Sequence, residues 1–218
     1  MKYKQMLLPA LAALLVFTFF YGVILALNQN RNQQHRLHER NQVRETLNGR
    51  QAILESALNL RLGLSYSMAA FAASNQDRLD ATFTPYARQL YDLTPNVRSI
   101  QIAPGGVIAY IYPLAGNEQA LGLDLANHPD RRESFQRTMR RNTLSLSGPF
   151  ELVQGGLGLV GQNPILVDGD LWGIGVVVID IPPLLAEAGI AAVNGRISYA
   201  ARSINGAVSY THLTLPTT

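Results

Sequence analysis

Few residues in this 218-residue chain are of types and spacings that could do chemistry. Gly156-Leu157-Gly158-Leu159-Val160-Gly161 spells G-x-G-x-x-G, and Asp180 follows at the end of an apolar run about 20 residues on, as in a dinucleotide fingerprint. That fingerprint works only if a helix opens within it and receives a pyrophosphate at its N-terminus. Gln162-Asn163-Pro164, Asp168-Gly169-Asp170 and Gly173 leave no room for such a helix. The glycines are therefore read as sharp turns and close backbone approaches. Glycoside hydrolysis needs two converging carboxylates. The candidates are Glu118, Asp124, Glu151, Asp168 and Asp170. Asp168 and Asp170 belong to a tight turn, and Glu151 alternates outward between Phe150 and Leu152. Ser147 precedes Gly148-Pro149 without a nucleophile-elbow motif. His128 stands before Pro129 at a helix start, a place for capping. His35 and His38, at i and i+3, are too few ligands for a metal. The chain has no cysteine, which excludes disulfides, thiol catalysis and cysteine-held zinc. The residues predict no catalytic constellation, no metal site and no cofactor.

The elements that would position these residues run from Val97 to Asp180. Val97–Ala103 alternates with period two, turns at Pro104-Gly105-Gly106 and returns as Val107–Tyr112, a hairpin signal. Leu121–Leu125 is short and apolar. Asn127-His128-Pro129-Asp130 opens a helix with Pro129 near its first position, acidic residues early and Arg137, Arg140 and Arg141 late, which suits the helix dipole. Short strands are expected at Leu144–Leu146, Phe150–Val153, Leu157–Val160 and Ile165–Val167. Asp168-Gly169-Asp170 is a hairpin turn. Leu171–Ile181 is almost wholly apolar and reads as a central strand buried on both faces. Pro182-Pro183 stops it before a short helix, Leu184–Ala188. Short strands, tight turns and segregated helices indicate an α+β fold on an antiparallel sheet.

Ahead of the sheet, Leu7–Leu27 is an uncharged apolar run long enough to cross a bilayer as a helix. It is too long for a signal-peptide core and lacks a small-x-small cleavage site after it. An uncleaved signal anchor is expected at residues 1–27. Lys2 and Lys4 before it nearly balance Arg31, Arg36 and Arg40 after it, so charge alone does not orient it. Residues 28–78 form a stalk helix whose apolar seam is Val43, Leu47, Leu54, Leu58 and Leu62, interrupted by Arg50, Ala57 and Arg61. The seam suits packing on the chain's own domain and pairing of two subunits about equally. A second helix follows from about Asp80, an N-cap residue type, with Phe83, Ala87, Leu90 and Leu93 as its buried face. The basic residues of this +3 chain gather in Arg31–Arg50 without interleaved aromatics, which argues against a nucleic-acid surface.

Several separate motifs in this order resemble the CHASE domain. They are Arg98-Ser99-Ile100-Gln101-Ile102-Ala103-Pro104, Tyr112-Pro113-Leu114-Ala115-Gly116-Asn117-Glu118, Gly122-Leu123-Asp124-Leu125, Ser147-Gly148-Pro149-Phe150-Glu151-Leu152-Val153-Gln154-Gly155-Gly156-Leu157-Gly158, Pro164, and Trp172-Gly173 with Val178-Ile179-Asp180. The resemblance covers about residues 79–189. It implies an extracytoplasmic sensor on a long helix, built of two PAS-like halves and dimerising along that helix. In bacteria it implies a periplasmic domain at the inner membrane and a cytoplasmic output, a histidine kinase or a cyclic-di-GMP cyclase or phosphodiesterase. Plant cytokinin receptors carry the same domain. Their pocket acid and two threonines correspond here to Asp130 or Arg131, to Ser147 and to Gln162. Ser147 keeps a hydroxyl and Gln162 does not match. The ligand-site candidates on this resemblance are Asp130, Ser147, Phe150, Leu152, Val153 and Gln162, facing an unknown small molecule.

Residues 190–207 resemble the start of the membrane-proximal half, and 208–218 resemble a translated sequencing adapter. On this reading the chain breaks off near Ala207, before a second span and output domain. The alternative is a single-pass, membrane-anchored periplasmic enzyme using a carboxylate pair.

Overall fold

In a computed structural model the backbone is described for residues 2–190, 201–202 and 209–210, and side chains for residues 17, 21 and 41–190. The chain divides into two compact units, Met1–Gly49 and Arg50–Thr218. Helix α1, Lys2–Asn75, supplies all the described secondary structure of the first unit and enters the second. Among the described residues no helix is long and apolar enough to cross a membrane. The expected anchor Leu7–Leu27 is helical, but apart from Phe17 and Tyr21 its side chains lie outside the described residues, as do His35 and His38. The readings at 190–207 and 208–218 lie almost wholly outside them too. Only the antiparallel pair β6 (Ala201–Arg202) and β7 (Ser209–Tyr210) is described there.

The second unit is an α+β fold around one five-stranded antiparallel sheet. Its strands are β1 (Val97–Pro104), β2 (Tyr110–Tyr112), β3 (Ser145–Glu151), β4 (Leu157–Val167) and β5 (Asp170–Asp180), in the order β2-β1-β5-β4-β3. β5 is central and buried from Gly173 to Ile179, as its unbroken apolar run predicts. It joins β4 through Asp168 and Gly169, both at positive φ (51° and 91°), the backbone of a two-residue hairpin turn.

Helix α1 covers one face of the sheet. Ala57, Arg61, Leu64, Ser65, Met68, Ala69 and Ala72 recur at helical spacing and are buried. They pack with Ile100, Ile102, Val177 and Ile179, the alternate residues of β1 and β5. Two glycines permit the close approach. A Cβ at Gly161 would lie 2.5 Å from Leu62, and one at Gly175 would lie 3.0 Å from the Ser65 carbonyl oxygen. Ala57 and Arg61 therefore belong to the packing stripe instead of interrupting a seam. Leu54, Leu58 and Leu62 are half-buried beside it, and Val43 and Leu47 are exposed. The Arg61 guanidinium, wholly buried, donates to the Ala57 carbonyl and to Glu187 at the end of α4 (Ile181–Glu187). Asp180, the acid that completed the mimic of a nucleotide fingerprint, pairs with Arg98 at 2.6 Å.

Several local expectations are corrected. Helix α2 (Leu79–Leu93) is capped by Arg78, so Asp80 lies in its first turn and accepts the Tyr110 hydroxyl at 2.8 Å. Its buried stripe runs Phe83, Ala87 and half-buried Leu90, then continues at Thr94, one turn on; Leu93 is 80% exposed. In the first hairpin only Tyr110–Tyr112 pairs with β1. Gly105 and Gly106, both at positive φ, turn the chain away, and Val107 bridges Asp124. Leu157–Val160 and Ile165–Val167 are one strand running through Pro164. Beyond Gln162 strand β3 has ended, so β4 has an open side there that tolerates a residue without an N–H. Phe150 continues the strand begun at Ser145, across a register shift at Gly148-Pro149, while Leu152 and Val153 lie beyond its end. Helix α3 (Arg132–Arg141) starts after Arg131, three residues later than Pro129 suggested.

Candidate ligand-binding site

The other face of the sheet carries the alternate set of residues, and register aligns them in two cross-strand rows. Ser99, Val178, Val160 and Ser147 form one row; Gln101, Val176, Gln162 and Ser145 form the next. Every one of these is buried except the half-buried Ser145. Hydroxyls and amides on a buried strand face are unusual and require partners. Gln101 donates to Ser99 Oγ at 2.9 Å. Thr138 of α3 donates to Gln162 Oε1 at 3.1 Å and lies in hydrogen-bonding contact with Ser145. Ser147 Oγ and Gln162 Nε2 have no partner among the described residues.

A small cavity, partly open to solvent, lies on this face. Its floor is Gln101, Val160, Val176 and Val178. One wall is Ile108 with Ala120, Leu123 and Leu125, from the segments on either side of β2. The opposite wall is Leu152, Val153 and Gln154 of the β3–β4 loop. Arg131, at the N-terminus of α3, completes the lining as its one charged residue. The loop is held by backbone hydrogen bonds between Leu152 and both Gly155 and Gly156, whose φ values are 82° and 80°. Gln154 Nε2 donates to the buried Asn117 at 3.2 Å. Of the false fingerprint's three glycines, only Gly156 thus belongs to the cavity's rim. Gly158 lies in the strand, where a Cβ would meet Leu152 at 2.7 Å.

Arg131 is 4% exposed. Its guanidinium lies 4.0 Å over the Phe150 ring and donates through Nη2 to the Glu151 carbonyl at 2.9 Å, while Nη1 has no partner among the described residues. Burial pulls its pKa below the ordinary arginine value, and the charge of Asp130 opposes that shift. An arginine at this position remains charged at neutral pH.

Of the six candidate residues, Leu152 and Val153 line the cavity. Ser147 and Gln162 lie in the rows beside its floor, and Phe150 lies behind Arg131. Asp130 is exposed on the turn before α3, where its N–H bonds His128; its neighbour Arg131 takes the place at the cavity. Gln101, Gln154 and the valines were not among the candidates. Gln101 had a readable signal, since it alternates with Ser99 on a strand face that is otherwise apolar. None of the candidate carboxylates lines the cavity. Glu118, Glu151, Asp168 and Asp170 are exposed, and Asp124 caps a turn in which Asn127 holds its carboxyl below the usual range. Among the described residues no cluster of three metal-ligating side chains occurs.

The second unit is thus a helix-backed antiparallel sheet of α+β class with a cavity on its free face. The chain belongs to the CHASE domain family, whose model matches residues 67–202, more than half of it. No curated protein sequence matches significantly. Among solved structures the fold is similar to the sensor domain of the V. cholerae histidine kinase DctB, with 15% identity, TM-score 0.51, and 68% of this chain and 58% of that one covered. It is similar too to the ligand-binding domain of Mlp24 with asparagine, with 14% identity, TM-score 0.52, and 68% and 60% covered. The ligand-binding domain of the Pseudomonas aeruginosa PAO1 chemoreceptor PctC in complex with GABA matches at 20% identity and TM-score 0.49, covering 62% and 63%. The chain spans less than two thirds of the length of each of these domains.

Proposed function

We propose that the chain is the small-molecule-sensing part of a bacterial membrane receptor, held in the periplasm by Leu7–Leu27 and signalling to a cytoplasmic kinase, cyclase or phosphodiesterase. The observation that carries this reading is the apolar cavity with three polar residues on the face opposite α1. A preformed concave site with few convergent polar groups is the usual form of a ligand site. The strand order β2-β1-β5-β4-β3 supports a PAS-like half, and the asparagine bound by the similar Mlp24 domain supports a small metabolite as the ligand class. Pairing of two copies along α1 belongs to the same reading. The domain divisions 1–27, 28–78 and 79–189 remain working boundaries within it.

Two measurements test it. Alkaline phosphatase fused after Asp180 should be active in cells, and a cytoplasm-dependent reporter at the same point silent; the reverse pattern sinks the topology. Val153→Trp, which fills the cavity from the rim loop, should abolish the thermal stabilisation produced by any bound metabolite. Stabilisation that survives Val153→Trp removes the cavity from the proposal.

A further inference from the structure

We infer that the ligand is a small organic acid with an apolar body, its carboxylate paired with Nη1 of Arg131; this rests on the cavity being the ligand site. Arg131 is the lining's one charge, and nine of its twelve residues are apolar. A guanidinium offers five N–H donors in a planar fork suited to a carboxylate. Two features of the site hold that fork in place, the Phe150 ring behind it and the Glu151 carbonyl on Nη2. Neither supplies a negative charge. The salt bridges among the described residues use Arg61, Arg98 and Arg137, not Arg131. Asp130 next to it acts only through its field and forms no ion pair with it, so an anion delivered to Nη1 regains the remaining cost of burying the cation as affinity. The rest of the cavity fits the other end of such a molecule, since Val160, Val176, Val178 and Leu123 offer only aliphatic surface.

The same geometry disfavours a basic ligand. An amine would enter a cavity whose one charge is positive and whose lining holds no carboxylate. A purine read by an acidic side chain would need Asp130, which faces solvent. The competing account of Arg131 is purely structural, a pin holding the β3–β4 loop to α3. That role would affect ligands of every charge alike, so the two accounts separate on ligand charge.

The test uses the full chain in detergent, titrated calorimetrically with phenylacetate and isovalerate, with their neutral amides, and with phenethylamine. The acids should bind at least about tenfold more tightly than the amides, the ratio expected for one charge-assisted pair, and the amine should bind most weakly. Arg131→Met should erase the acid–amide difference, and Arg131→Lys should retain part of it. If Arg131→Met fails to fold, the acid–amide comparison on the wild-type chain still decides. Equal binding of acid and amide, an unaltered difference in Arg131→Met, or no binding by either acid overturns the inference. A neutral or basic probe blocked by Val153→Trp would then leave the cavity as the ligand site. Acid binding indifferent to Val153→Trp would instead refute the cavity itself.

Discussion

Ser147 Oγ, Gln162 Nε2 and Arg131 Nη1 are buried without partners among the described residues, and an unsatisfied buried polar group typically costs about 1–3 kcal/mol. All three belong to the sheet face and wall around the cavity; a fourth such atom, Arg61 Nε, lies in α1 against the opposite face. Such strain is tolerated where function uses it. Ser147→Ala removes one of these groups and leaves only a small void. It is therefore expected to leave stability unchanged or raise it by up to about 1 kcal/mol, measured by urea unfolding. Paired with Gln162→Ala, it should weaken any acid or other metabolite that the cavity binds. Unchanged ligand affinity in that double variant, with the fold intact, would take both residues out of the site. Their placement was legible only through family resemblance, because neither type is chemically distinctive. The resemblance left the acidic position open between Asp130 and Arg131, and an offset of one residue at a helix start separates an exposed acid from a buried base.

Single elements were legible where one physical constraint dominated. Val97–Ala103 and Leu171–Ile181 read directly as strands, because alternation and unbroken apolarity have few other solutions. Asp168-Gly169 likewise has few uses besides a tight hairpin turn. Pro164 misled, because whether β4 is open on one side depends on where β3 ends, a tertiary fact. Arg61 misled more deeply. A charged residue in an apolar seam reads as an interruption, yet here it is fully buried in α1's packing stripe, neutralised by an acid 126 residues away. The link ties α1 to α4 at the end of the central strand. Burial pushes the Glu187 pKa up, but the hydrogen bonds from Arg61 and Asn96 and the Arg61 charge outweigh it, so the carboxyl titrates below its ordinary value. A carboxylate with a lowered folded-state pKa adds stability that is full above the unfolded-state value, near 4.3, and is lost as pH falls through the folded value. Glu187→Gln should therefore cost about 1–3 kcal/mol at pH 7, less than a fully buried pair because water reaches Glu187. The gap between wild type and variant should narrow steadily as pH falls below the unfolded-state value. Thermal unfolding of both chains from pH 7 to pH 3 checks it; a gap that does not narrow over that range would show that shape, not charge, was lost.

At the scale of the whole molecule, a sensor must pass a change at the cavity to whatever lies beyond α1. The cavity floor and the α1 contact are formed by neighbouring residues of the same strands. Val160 and Val176 face the cavity while Gly161 and Gly175 touch α1. A shift of β4 or β5 therefore moves the helix contact directly. What α1 could move against is suggested by its outward side. Ile53, Ser56, Leu60, Gly63, Ser67 and Ala70 recur at alternating spacings of three and four, the period of a left-handed helix pair. Ile53 and Leu60 are 44% and 57% exposed, and a Cβ at Gly63 would meet nothing within 4 Å. Leu54 and Leu58, by contrast, already spend part of their surface on the core. If two copies pair in parallel along α1, this row is the better seam. Identical residues at its core positions then face each other across the two-fold axis. The chain contains no cysteine, so single cysteines report this cleanly. Ser56→Cys and Ser67→Cys should each form a covalent dimer rapidly on mild oxidation in membranes, and Leu58→Cys slowly. Leu60→Glu should abolish the Ser67→Cys cross-link without lowering the unfolding midpoint, because Leu60 is not part of the core. Faster cross-linking at Leu58 than at Ser56 would move the seam to the Leu54–Leu58–Leu62 row, and no cross-link at any of the three would argue for a monomeric sensor.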